Sequence, residues 1–359
     1  DIDINFERNI VYKFNDPVDG EVYQPFTILP EATCSVKEKV IIFSDQKSKI
    51  VPVHILAGKD NIEGFITLNS PEGWVIKPQS HPFSVEKKGD QSIVYFEVSP
   101  PKKISEGQLN PIIQIGEKTY DKELHILDYK YIPLQQVLMK SESKVVHLIL
   151  QKKGENIGYI EGAGDSVPES LEQIGYQVTR IKPAEITYDK LVKFDAIVMG
   201  IRAYNTVPEL EFKQVELNRY IENGGNLILQ YNTSHRLITK DIAPFQIELS
   251  RDRVTDEFSE VSFLAPQHPI LNYPNKISVN DFENWVQERG LYFPNKWAKE
   301  FTPLLGMNDK NNKLTKGALL VAPYGKGYYI YTGISFFREL PAGVPGAYRL
   351  FANMLSIGK

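Results

Sequence analysis

Near residue 140 the spacing of apolar residues changes, and the change divides the chain. Upstream, short runs such as residues 39–43, 51–56, 64–68 and 92–98 are rich in β-branched and aromatic side chains. Pro, Gly, Asn and Asp separate them at intervals of about 8–12 residues, the signature of an antiparallel β-sandwich of the immunoglobulin-like kind. Residues 70–79 read as a turn and a strand, with Trp74 as a core anchor. Downstream the pattern is strand, helix, strand, helix. Residues 145–150, 157–160, 177–181, 194–200 and 226–231 read as strands. Residues 167–175, 188–193 and 207–223 read as helices, the last stopped by Asn223-Gly224-Gly225. That alternation predicts a doubly wound, mainly parallel α/β sheet. Residues 317–322 and 327–332 read as a hairpin around Tyr324-Gly325-Lys326-Gly327, and residues 345–357 as a closing helix.

Composition shifts at the same place. Arg8 is the single arginine of residues 1–140, and the other nine follow; glycine rises from 7 before residue 141 to 17 after it. The expected organisation is an extended segment over 1–30, a β-sandwich domain over 31–140 and an α/β domain over 141–359.

Several function classes are excluded by residue content. Forty-one basic against 45 acidic residues give a net charge of −4, the wrong sign for a nucleic-acid partner. No apolar run reaches the roughly 18 residues of a membrane-spanning helix, so no transmembrane segment is expected. Cys34 is the only cysteine, and the six histidines are scattered with no pair at i, i+4. No metal site and no cofactor are therefore expected. The chain begins with Asp1, which predicts a mature protein or a piece of a longer one.

In a parallel α/β sheet, ligands bind beyond the carboxyl ends of the strands. Here those ends carry Glu161-Gly162-Ala163-Gly164-Asp165, then Gly200 to Thr206 with Arg202, Tyr204 and Asn205, and Gln230-Tyr231-Asn232-Thr233-Ser234. Candidate ligand-binding residues are Asp165, Glu169, Arg202, Tyr204, Asn205, Gln230 and Asn232. The plainer reading makes the glycines tight turns and Asp165 a cap on the next helix. The run GAGD lacks the third glycine of a dinucleotide fingerprint. Two further segments concentrate arginine with acids. Residues 250–258 add Arg251, Asp252 and Arg253, and residues 281–293 add Trp285, Glu288 and Arg289; Arg338 and Arg349 follow. Arginine forks pair with carboxylates, so these segments read either as a network tying loops together or as an anion or sugar site.

The strand order and the stretch 220–229, YIENGGNLIL, resemble the class I glutamine amidotransferase-like fold. That fold places a nucleophile in a sharp turn between glycines. The matching turn here is Gln230-Tyr231-Asn232-Thr233, without cysteine, so the domain reads as a degenerate member with no catalytic residue. A second resemblance covers most of the chain. EGAGDSVPESLEQIGY (161–176), GIRAYNT (200–206), LQYNT (229–233), SRDRVTDE (250–257), HPILNYPNKI (268–277), WVQERGLYFP (285–294) and FFRELPAGVPGAYRLFANMLS (336–356) are similar to the C-terminal region of PIG-L (LmbE-like) deacetylases of Bacteroidetes type. The upstream stretch NDPVDGEVYQPFTILP (15–30) is similar too. In that family a separate N-terminal zinc domain removes N-acetyl groups from amino sugars with a His-Pro-Asp-Asp-Glu type motif. Neither His81-Pro82 nor His268-Pro269 continues that way.

The resemblance implies a non-catalytic accessory region in carbohydrate metabolism. Its implied partners are an amino-sugar glycan and the N-terminal deacetylase domain, in a periplasmic or secreted location. Two other readings stay open: a hydrolase using carboxylates at the strand ends, and a structural or oligomerisation module. If Tyr204, Asn232, Arg251 and Trp285 lined one open pocket, the binding reading would gain.

Overall fold

The computed structural model describes residue 7 and residues 10–359. Residues 1–6, 8 and 9 of the expected N-terminal segment lie outside the described residues. The chain is mixed α/β and divides into two compact units. One contains the chain up to Ile41 together with Gln46–His147; the other contains Ile42–Asp45 and Leu148–Lys359.

The first unit is built on antiparallel sheets. One has the order Ala32–Val36, Lys49–Ala57, Gln91–Ser99, Val75–Lys77; another runs Ser143–His147, Ser105–Ile115, Ile62–Asn69, His81–Val85. Alternation does the work here. Along Lys49–Ala57 the side chains of Val51, Val53 and Ile55 are buried, and along Gln91–Ser99 those of Val94, Phe96 and Val98 are. Successive residues of a strand face opposite sides, so a period of two buries one face. Trp74 is a core residue as expected, and its indole N–H donates to Ser105 Oγ at 3.0 Å. Burial pushes the Cys34 thiol up to about 12, which leaves it inert.

Residues 145–150 differ from the sequence expectation. They are not the first strand of the downstream sheet; Ser143–His147 pairs antiparallel with Ser105–Ile115 in the first unit. A short apolar run does not encode its neighbour, and here the pairing register chose the upstream sheet.

The second unit is organised on a seven-stranded, largely parallel sheet. Its strands are β1 (Asn156–Ile160), β2 (Gln177–Arg180), β3 (Ala196–Met199), β4 (Asn226–Gln230), β7 (Thr302–Pro303), β8 (Leu319–Tyr324) and β9 (Gly327–Thr332). A separate two-stranded ribbon pairs β5 (Ile247–Val254) with β6 (Gly290–Trp297). The order is β2-β1-β3-β4-β9-β8-β7. The first five are parallel, β8 runs against them, and β7, antiparallel to β8, runs with them. Both β3 and β4 are buried along their whole length, as uninterrupted apolar strands covered on both faces must be.

The helices are α1 (Val167–Gln173), α2 (Gln214–Glu222), α3 (Phe336–Glu339) and α4 (Pro345–Ser356), with shorter turns between them. The helix expected over 207–223 is a 3-10 turn, Pro208–Phe212, followed by α2. Gly224 stops it at φ +108°, a conformation that costs glycine little. β8 and β9 form the expected hairpin, with Tyr324 opposite Gly327. Tyr329, Tyr331 and Phe336 are fully buried and belong to the core. No helix among the described residues is long and apolar enough to cross a membrane.

Candidate functional site

The carboxyl ends of β1, β3 and β4 bring the expected polar residues together and join them to one another. Asp165 accepts from the Tyr159 hydroxyl at 2.6 and 2.7 Å, from Val167 N–H at 3.0 Å and from Ile201 N–H at 3.2 Å. It therefore engages the first N–H of α1, whose N-cap is Ser166, and ties the loop after β1 to the loop after β3. Gly162 allows that approach: a Cβ there would lie 2.1 Å from the Ile201 carbonyl oxygen. Burial, reinforced by the Asp165 charge, holds the Tyr159 hydroxyl in its protonated form far above the ordinary range. Gln230 donates to Tyr159 Oη at 3.2 Å and to the Met199 carbonyl at 3.4 Å. Its own amide oxygen is buried without a partner.

A second set locks the loops after β3 and β4. Asn232 is completely buried; it accepts from Tyr204 N–H at 2.8 Å and donates to the Gln230 carbonyl at 3.0 Å. Asn205 accepts from Thr233 N–H at 2.8 Å and donates to the Thr233 carbonyl at 3.2 Å. The Tyr204 hydroxyl, also buried, donates to Gln214 Oε1 at 2.6 Å. Side chains that satisfy one another in this way fix loop shape.

The outer face of the same end is different in kind. Tyr231 stacks on Tyr292 with ring centroids 6.1 Å apart and planes 8° from parallel, and meets Phe337 at 5.2 Å. Tyr292 and Phe337 are half-buried, and His235 reaches the Tyr292 ring at 6.3 Å. Arg202 is exposed beside them. Burial raises the Tyr231 hydroxyl pKa, while Arg202 and Arg338 pull it down. Arg202 and Tyr292 both adopt left-handed backbone, φ +57° and +54°. Hydrogen bonds fix them there: Arg202 N–H donates to the Tyr231 carbonyl at 2.8 Å, and the Tyr331 hydroxyl donates to the Tyr292 carbonyl at 3.0 Å.

Four of the nine downstream arginines tie segments together. Arg338 pairs with Glu288 at 3.1 Å and also bonds Gln287. Arg349 pairs with Asp281 at 2.7 Å and donates to the Ile149 and Lys276 carbonyls. Arg180 joins Glu161 and Glu169 on the surface. Arg289 is buried against the Trp285 and Phe282 rings and donates to the Ser259 and Phe282 carbonyls. Trp285 is buried as well, and its N–H donates to the Asp281 carbonyl.

Arg251, Asp252 and Arg253 lie elsewhere, in a groove of about 760 Å³ along the β5–β6 ribbon. Tyr204, Asn232 and Trp285 are buried in packing, so these three and Arg251 do not line one open pocket. Sequence reasoning missed Tyr159, Tyr292 and Phe337 at the strand ends, and Trp297, Lys313 and Lys316 in the groove. Nothing in the local pattern around these six separates them from ordinary core and surface residues. Among the described residues, no three His, Cys, Asp or Glu side chains converge to hold a metal ion.

The chain matches no family model and no curated protein. Among solved structures it is similar to the exo-beta-1,4-mannosidase Op5Man5 from Opitutaceae bacterium strain TAV5, with 12% identity and TM-score 0.34, over 56% of this chain and 35% of that one. It is similar to a family 123 glycoside hydrolase from Clostridium perfringens, with 9% identity and TM-score 0.21, over 56% and 38% of the two chains. It is also similar to E. coli alpha-2-macroglobulin in its native conformation, with 10% identity and TM-score 0.25, over 38% and 8%. The matched parts span less than two fifths of each of those proteins.

Proposed function

We propose that this chain is a non-catalytic accessory region of a carbohydrate-active protein and binds an amino-sugar glycan on the outer strand-end face. The reading joins an immunoglobulin-like sandwich to a degenerate class I glutamine amidotransferase-like domain. The order β2-β1-β3-β4-β9 of the parallel strands supports the flavodoxin-like type. The resemblance to the C-terminal region of PIG-L deacetylases supplies the partner, an N-terminal deacetylase domain, and the periplasmic or secreted setting.

The observation that carries the reading is the pair Arg202 and Tyr292. Two non-glycine residues are held in left-handed backbone at one face, beside a half-buried aromatic stack. Such conformations cost on the order of 1 kcal/mol each and persist where the surroundings enforce them, often at binding sites. An aromatic ring bordered by a cation suits a sugar, which offers one apolar face and a rim of hydroxyls. The interior groups that would perform catalysis are instead engaged with one another.

The test is calorimetric titration and thermal shift with the N-acetylglucosamine tetramer. At a hundred times its dissociation constant, a ligand of the folded state adds about 2.7 kcal/mol of stability. Tyr292→Ala and Arg202→Ala are expected to abolish the shift while leaving the unliganded melting point within a few degrees. No shift in the native protein would overturn the reading.

A further inference from the structure

We infer that the groove along the β5–β6 ribbon is a second binding site, built for an acidic oligosaccharide. It does not rest on the strand-end face, because its residues come from other segments.

Local structure places the cations. The β5–β6 pairing is irregular, with register shifts between Leu249 and Asp252 and between Asp252 and Val254. Ser250 holds the irregularity: its hydroxyl donates to the Phe293 carbonyl at 2.7 Å and accepts from Asp252 N–H at 2.8 Å. Bulges of this kind re-aim side chains, and here Arg251 and Arg253 are exposed along the groove wall. The opposite wall is the segment 308–316, which contributes Lys313 and Lys316.

Charge balance then separates this groove from the rest of the surface. Among the described residues, the side chains of Arg251, Arg253, Lys313 and Lys316 make no hydrogen bond or ion pair, and of the four only Arg253 is attracted by Asp309. Two carboxylates share the groove, Asp252 and Asp309. Asp309 is already engaged: it accepts from Thr255 N–H at 2.8 Å, from Asp256 N–H at 2.9 Å and from the Thr255 hydroxyl at 3.0 Å. Desolvation raises its pKa, but these bonds outweigh it and hold the carboxyl below its ordinary range. Asp309 therefore braces the loop, and its charge also attracts Arg253, leaving Arg251, Lys313 and Lys316 without a carboxylate partner among the described residues. A chain of net charge −4 keeps four cations in one groove with a single uncommitted carboxylate.

The remaining lining selects the class of anion. Trp297 is half-buried and offers an apolar surface to the groove, and Asn295 and Asn312 offer exposed amides. Arginine forks grip carboxylate or sulfate at two points, amides match hydroxyls, and an indole packs on the C–H face of a sugar ring. The volume lies within the roughly 300–1,000 Å³ usual for ligand sites. A nucleic-acid strand would want several stacking rings in succession, and the groove has one.

The experiment titrates the whole chain with a galacturonate trimer, a heparin tetrasaccharide, the neutral N-acetylglucosamine tetramer and a ten-nucleotide single-stranded DNA. The inference expects at least one acidic saccharide to bind, more weakly as salt rises. The double variant Arg251→Ala/Arg253→Ala should weaken that binding at least tenfold, and Lys313→Glu/Lys316→Glu should do so through the opposite wall. Both should melt where the native chain does, since all four side chains are exposed. Tyr292→Ala should leave acidic binding unchanged, so failure of the strand-end reading and failure of this one give different results. The galacturonate and heparin arms distinguish carboxylate from sulfate as the recognised anion. The inference is overturned if neither acidic saccharide binds, if both double variants bind as tightly as the native chain, or if the DNA binds more tightly than both saccharides.

Discussion

Asp165 at the strand ends receives three hydrogen-bond donors, whereas in the groove the Arg251 side chain makes no hydrogen bond or ion pair among the described residues and Arg253 is only attracted by Asp309. Both places are rich in the polar residues that sequence patterns flag as sites. At the strand ends the interior groups hold three loops together, and only the outer aromatic face remains available. In the groove Asp309 spends its carboxylate on backbone N–H groups and attracts Arg253, which leaves Arg251, Lys313 and Lys316 uncommitted. A polar cluster therefore announces a ligand only when its members are not already satisfied by one another.

The strongest way to break this comparison is to remove Asp165. Asp165→Ala leaves the buried Tyr159 hydroxyl and two backbone N–H groups without their acceptor. A hydrogen bond to a charged group is worth about 1.5–3 kcal/mol, so the second unit should lose about 3 kcal/mol in urea unfolding. A loss under about 1 kcal/mol would mean the carboxylate is free for a ligand.

A second measurement concerns Glu339, a carboxyl that is buried yet only half satisfied. One oxygen accepts from Val286 N–H at 3.0 Å and the other has no partner. Burial pushes its pKa up to about 8 from an ordinary 4.5, against the pull of the Val286 bond and of Arg289. The folded chain thus keeps a proton that the unfolded chain releases. That contribution is present in full below about pH 4.5 and is lost as pH rises to about 8. Stability of the second unit should fall across that window, and Glu339→Gln should flatten the slope. An unchanged slope in the variant would show that Glu339 is ionised in the folded state.

The smallest effect sharpens the other side. Arg251→Ala combined with Lys313→Ala should change stability by no more than about 0.5 kcal/mol, as exposed, unpaired side chains do. A clear gain in stability would reveal that mutual repulsion in the empty groove was destabilising, and would strengthen the case for an anionic occupant. A loss above about 1 kcal/mol would make these cations structural.

Parts of the site were legible in sequence for identifiable reasons. An acid just ahead of an apolar helical run predicts a cap; Asp165 stands one residue before the N-cap Ser166 and bonds Val167 N–H, so it braces the helix entry without holding the cap position. The loop-tying role of arginine holds for Arg289, Arg338 and Arg349. It does not hold for Arg251 and Arg253, although they sit among as many acids. Neighbouring acids in sequence, such as Asp256, turn to other partners once the ribbon forms. The strand at Ser143–His147 was assigned to the wrong sheet because its apolar run is equally compatible with either neighbour.

By itself the sequence determined the periods, and through them the antiparallel sheets upstream and the largely parallel sheet downstream. Periodicity is local: each residue's burial along a strand or helix depends on residues a few positions away. It also determined that no nucleophile elbow stands after β4. Tertiary structure alone decided which polar groups meet. Tyr159 with Gln230, Asp165 with Ile201, Tyr231 with Tyr292, and Arg251 with Lys313 are brought together by segments far apart in the chain. Whether a charge is satisfied or left waiting is a property of that convergence, and no local pattern encodes it.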